Sequence, residues 1–251
     1  MAGIDSEPVE DPVAEGRRIA EAAAERGLPL RLLGGVAVAI RCPRALEAPL
    51  ARSYGDIDLA TVGRARDEVV ELIESLGYSG DREFNALHGR RRLFFWDERN
   101  RRQLDVFVDE ANLCHQVGLS ARIENVPLTL TLADLTVLKL QVVETNEKDY
   151  LDICALFADH DLTHDDSGID VAYIARLAAS DWGLWRTLGM VAERCERFAS
   201  ELPGFDAAEL VAERLRGLRE ELDRVPKSRA WKLRSRIGDR KRWYELPEEV
   251  H

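Results

Sequence analysis

The chain has 251 residues, with 35 Lys and Arg against 46 Asp and Glu, a formal net charge of −11, and 45% hydrophobic and 32% charged residues. That length carries one or two domains and a core that needs no disulfide or metal staple. The composition is globular, and the acidic balance argues against a protein that works by blanketing nucleic acid with positive charge. The four cysteines (Cys42, Cys114, Cys154, Cys195) form no CxxC pair, which fits a reducing cytoplasm rather than a disulfide framework. The acidic start Met-Ala-Gly-Ile-Asp-Ser-Glu lacks the regions of a signal peptide, and the longest apolar stretch, Leu28 to Ile40, is too short to span a bilayer and contains Arg31. These features predict a soluble, cytoplasmic protein.

In chain order, residues 1–12 read as a loose tail, and 13–26 as a helix ended by Gly27. Leu28 to Leu33 reads as a short strand, followed by Gly34-Gly35 and a helix from Val36 to Arg41. Residues 56–62 alternate as a strand does, and 64–76 form an amphipathic helix. Two further strands, 91–96 and 103–108, flank the polar turn Asp97-Glu-Arg-Asn100. After Pro127 helices take over: 135–143, led by the capping-box variant Thr131 and Asp134, then 146–158, 170–200 and 206–223, the last two separated by Pro203-Gly204. The expected class is α+β: a small mixed sheet of about four strands with flanking helices over 1–126, then a helical domain over 127–251.

Three features carry chemistry. Gly34-Gly35 stands between a strand and a helix, where glycine lets a phosphate approach the backbone and the helix start offers unpaired N–H groups; a plain glycine turn has the same appearance. Asp56-Ile57-Asp58 puts two carboxylates on one face of a strand, an arrangement that repels itself unless a cation intervenes; surface alternation is the alternative. Asp105 is a lone charge within Gln103-Leu-Asp-Val-Phe-Val108. On a strand beside the first pair it would join the same pocket, and on an exposed edge it would not. Two metals about 3.5–4 Å apart need bridging oxygens of this kind.

Taken in order, these features resemble the nucleotidyltransferase superfamily that includes DNA polymerase β. Leu33-Gly-Gly-Val-Ala-Val38 and Arg52-Ser-Tyr-Gly-Asp-Ile-Asp-Leu59 are most similar to AbiEii-type toxins and related small nucleotidyltransferases, and Leu138-Lys-Leu140 and Lys148-Asp-Tyr-Leu-Asp-Ile153 look like that branch's later elements. The resemblance covers about residues 28–158. It implies that Gly34, Gly35, Arg52, Lys139 and Lys148 bind the nucleotide, with Lys139 neutralising triphosphate charge. It also implies that Asp56, Asp58 and Asp105 hold Mg²⁺, two ions in all, that Asp105 assists deprotonation of the acceptor, and that Asp152 orients a neighbouring group. Many members have Gly-Ser where this chain has Gly34-Gly35.

The implied activity is transfer of a nucleoside monophosphate from an NTP to an acceptor hydroxyl: RNA, especially a tRNA end, a small molecule such as an antibiotic, or a protein side chain. An antitoxin partner follows if the chain is a toxin. A catalytically silent binding module is the competing reading.

The tail from Arg224 to Arg242 holds nine Lys and Arg and one acid, with Trp231 within it and Trp243-Tyr244 just beyond. It reads either as a solvated face or as an RNA contact strip with aromatics for stacking. His160 and His164 stand four apart in what reads as a loop, Trp182 and Trp185 read as core, and Arg90-Arg-Arg92 reads as a solvated face or a phosphate anchor. No P-loop, GxGxxG or GxSxG is present.

Overall fold

A computed structural model describes residues 7–246. The chain divides into two units: one comprises residues up to Arg41, Ser53–Ala111 and Val117–Thr131, and the other Cys42–Arg52, Asn112–Gln116 and the chain from Leu132 onward. The helical unit therefore also contains two short segments drawn from the first half of the sequence, and the division expected at 126/127 falls between Thr131 and Leu132.

The first unit is built on a five-stranded mixed sheet of order β1-β2-β5-β4-β3, from β1 (Arg31–Leu33), β2 (Ile57–Thr61), β3 (Ser79–Gly80), β4 (Arg92–Asp97) and β5 (Arg102–Val108). β2 and β5 run parallel, and the other neighbours are antiparallel. Alternation assigns Leu32, Ile57, Leu59, Leu93, Phe95, Leu104 and Val106 to one face, and each is fully buried. Helix α1 (Pro12–Glu25) lies on that face so closely that a Cβ at Gly16 would stand 3.1 Å from Leu32 Cδ2 and 2.6 Å from Val36 Cγ1. α2 (Gly34–Arg41) follows β1 directly, and α3 (Arg66–Ser75) buries Val69, Leu72 and Ile73.

Two elements escape the sequence reading because they are short and polar: β3, and α4 (Arg82–His88), which is capped by Asp81. α4 is fastened by Asn85, whose amide donates to the Phe94 carbonyl and whose side-chain oxygen accepts the Phe94 N–H. The expected loose tail is corrected in part. Residues 1–6 lie outside the described residues, but residues 8–11 are tied down. Buried Arg102 pairs with Asp97 across the hairpin and donates to the Val9 and Glu10 carbonyls, Asn100 donates to the Pro8 carbonyl, and Asp11 caps α1. A buried guanidinium must find acceptors, and the N-terminal backbone supplies them.

The second unit is helical: α5 (Leu132–Leu140), α6 (Glu147–Asp159), α7 (Val171–Ser180), α8 (Trp182–Glu201), α9 (Ala208–Arg224) and α10 (Arg229–Ser235). A capping box between Asn146 and Asp149 starts α6. The single helix expected over 170–200 is two, broken at Asp181, whose extended backbone lets its carboxylate accept from Gly183 and Leu184 N–H at the start of α8. Short ribbons β6 (Glu110–Asn112) with β7 (Gln116–Gly118), and β8 (Leu162–Thr163) with β9 (Ile169–Asp170), complete the chain. Among the described residues no helix is long and apolar enough to cross a membrane.

The basic tail belongs to this unit, and its tryptophans are not laid out for stacking on bases. Trp231 packs edge-on against Trp185 and Trp243 against Trp182, with centroids 5.2 and 5.9 Å apart, and Trp243 Nε1 donates to Thr187 Oγ1. Large apolar rings gain more by burial on α8 than in water. Arg229, Lys232, Arg236, Arg240 and Lys241 remain exposed around them.

Candidate active site

The site grows from the register of three strands. Leu33, the last residue of β1, pairs with Asp58, and Asp58 pairs in parallel with Asp105, which pairs with Phe94 on β4. Directly opposed residues project to the same face of a sheet whose strands lie about 4.8 Å apart. Asp58 and Asp105 are thus neighbours on one face. Asp56 lies exposed, one residue ahead of β2, and its charge is felt at Asp105.

Because β1 ends opposite Asp58, the next residue, Gly34, turns into α2 against that carboxylate. Gly34 has φ +68°, and a Cβ there would stand 2.2 Å from Asp58 Oδ2. Any L-residue would be strained in its backbone and would collide with the acid. The first-turn N–H groups of α2, Gly35's among them, have no partner within the helix, and a helix start of this kind is where an anion is favoured.

Asp105 is 5% exposed. Burial pushes its carboxyl above the usual range, a hydrogen bond and the charge of Arg92 pull it back, and Asp56 pushes it up again, so the net direction is upward. Arg92 reaches diagonally from β4 to donate through Nε to Asp105 Oδ1 at 2.7 Å, with its guanidinium 5.3 Å from the Phe107 ring centroid. Among the described residues no three His, Cys, Asp or Glu side chains stand together as a metal cage. The donor chemistry nonetheless fits a hard dication, since the acids bring only oxygen; the missing Cβ at Gly34 is what lets the Asp58 carboxylate lie against the start of α2.

The remaining expected residues belong to the second unit. Asp152 is 1% exposed. It accepts Arg52 Nε and Nη2, both at 2.8 Å, and Lys139 Nζ at 2.8 Å, while Lys139 also reaches Asp149 at 3.1 Å. Burial alone would lower the Lys139 pKa, but Asp152 and Asp149 more than reverse it, so the ammonium stays charged. Arg52 and Lys139 are therefore held by carboxylates, and Asp152 is the residue that positions both. Lys148 is exposed on the first turn of α6. The sequence gives no sign of this closed network, because Arg52 and Asp152 are 100 residues apart. His160 and His164 flank β8 rather than sharing a helix. Arg92 is the functional candidate left open in the sequence: its triplet is visible, but its partner across the hairpin is not.

No protein-family model and no curated protein matches the chain. Solved structures that it resembles include the antibiotic-resistance factor ANT(2'')-Ia in solution, at 18% identity over 66% of this chain and 92% of that one, with a TM-score of 0.37. ANT(2'')-Ia in complex with adenylyl-2''-tobramycin is 15% identical over 82% of this chain and 97% of that one, TM-score 0.32. JHP933 from Helicobacter pylori is 10% identical over 89% and 94%, TM-score 0.38. Likenesses of this extent fix neither an activity nor any residue's role.

Proposed function

We propose that the protein is a metal-dependent nucleotidyltransferase, moving a nucleoside monophosphate from an NTP to an acceptor hydroxyl. The observation that carries this reading is the row Asp58–Asp105 on adjacent strands, with Asp56 alongside and Gly34 bent against Asp58. Asp56, Asp58 and Asp105 would hold Mg²⁺, two ions in all, which when bound would neutralise the phosphates and favour the leaving pyrophosphate. Gly34 and Gly35 bind phosphate oxygens through the backbone at the start of α2. Asp105 accepts the acceptor's proton as the hydroxyl oxygen bonds to the α-phosphorus and the bond to pyrophosphate breaks. Such transfer asks a protein chiefly to position groups and offset charge, which this row suits without a histidine base.

The test is incubation with Mg²⁺ and each labelled NTP against total RNA and, separately, aminoglycosides, beside an Asp58→Asn control. Label transfer to either acceptor that the control lacks supports the reading and identifies the acceptor. Absence of transfer together with absence of an NTP-dependent thermal shift would leave the catalytically silent module. That alternative draws on the capture of Asp105 by Arg92. RNA as acceptor draws on the exposed bases of the tail. A toxin role with an antitoxin partner is a finer form of the same reading, tested by growth arrest on expression that Asp58→Asn abolishes.

A further inference from the structure

Arg92 is a motif residue that the proposed chemistry leaves unexplained, and its geometry is specific. Its Nε is 2.7 Å from Asp105 Oδ1, and the side chains are 27% and 7% exposed, so the carboxylate is sealed while the arginine keeps access to solvent. By register Asp105 faces Phe94, and Arg92 stands two residues along β4 opposite Phe107, whose ring it covers. It thus leans along the strand to reach a carboxylate that is not its direct cross-strand partner. A guanidinium carries five donors in a planar fork; among the described residues the hydrogen bond to Asp105 runs through Nε, so the Nη groups can turn to an anion.

We propose that Arg92 is the exchangeable cation of this site: it holds Asp105 when no divalent ion is bound, gives up that carboxylate to the ion, and turns its fork to the phosphates of the incoming nucleotide. The inference rests on the nucleotidyltransferase reading and deepens it. A cation cannot share Asp105 with a dication without repulsion, so ion binding works against the Arg92 pair. The same arginine, once displaced, is the planar donor that phosphate favours.

The experiment measures Mn²⁺ affinity by electron paramagnetic resonance without nucleotide, and affinity for inorganic tripolyphosphate with Mg²⁺ present, so that base preference plays no part. Wild type, Arg92→Ala and Arg92→Gln are compared, with Asp58→Asn reporting which Mn²⁺ signal belongs to the site. Gln keeps a donor for Asp105, so it serves if Ala fails to fold. The expected result has opposite signs: removing the charge tightens Mn²⁺ by about 10-fold and weakens tripolyphosphate by about 10-fold. A purely structural pair would move both in the same direction or neither. Unchanged or weaker Mn²⁺ binding, or unchanged tripolyphosphate binding, in the variants overturns the inference and leaves the enzyme reading standing if wild type takes up Mn²⁺ through Asp58. Absence of Mn²⁺ uptake in every protein overturns both.

Discussion

Two regions of this molecule bury carboxylates, and they resolve the charge differently. In the helical unit, Asp149 and Asp152 meet Arg52 and Lys139, two acids against two bases, with every short contact between 2.8 and 3.1 Å. In the sheet unit, Asp105 meets a single arginine and sits beside two further acids, Asp58 by register and Asp56 through its charge. The first arrangement satisfies itself and serves to fix geometry. The second leaves acids in excess beside a more exposed cation, the imbalance on which the proposed ion site rests.

The contrast breaks most visibly if Asp152 is removed. Asp152→Ala takes from Arg52 and Lys139 the buried carboxylate they share, and is expected to cost about 3–5 kcal/mol of unfolding free energy, read by urea titration; a loss within about 0.5 kcal/mol would mean that the network is not the structural element described. Asp58→Asn is expected to do the reverse. Transfer should fall by at least about 10²–10³-fold, while the melting temperature holds or rises because repulsion is relieved. A melting temperature that falls along with activity would make Asp58 structural as well. Gly34→Ala should cost about 1–3 kcal/mol through its left-handed backbone and also lower activity by crowding Asp58, compared by melting and transfer assays.

The smallest effect sharpens the helical side. His115, buried near Thr187, has its pKa lowered by burial, against the opposing pull of Asp181 and Glu245. A lowered folded value favours the neutral ring, so its contribution to stability is whole above the ordinary histidine range near 6.5 and is lost as pH falls through the folded value. Thermal melting from pH 8 to 5 should show this acid limb in the wild type and a shallower one in His115→Gln.

Much of the sheet was legible from alternation alone. Strands β2, β4 and β5 lie within one residue of their expected limits, as does helix α6, because each carries a strong period or cap over enough residues. β3 and α4 were not legible, since two residues of strand and two turns of polar helix have no period to detect. The break at Asp181 was hidden because apolar spacing continues on both sides of it. Asp56, Asp58 and Asp105 could be named as candidates from residue type, but nothing local says which strands adjoin.

What the sequence determined by itself was the inventory: a diglycine after a short strand, an Asp-Ile-Asp run, and a lone Asp among strand formers. These are consequences of backbone sterics and side-chain period, which act over a few residues. Tertiary structure decided the rest: that β5 lies beside β2 with Asp105 in register with Asp58, that Arg92 reaches Asp105, and that Asp152 gathers Arg52 and Lys139. Strand order and ion pairing depend on contacts between residues far apart in the chain, and their energies exist only once the chain has folded.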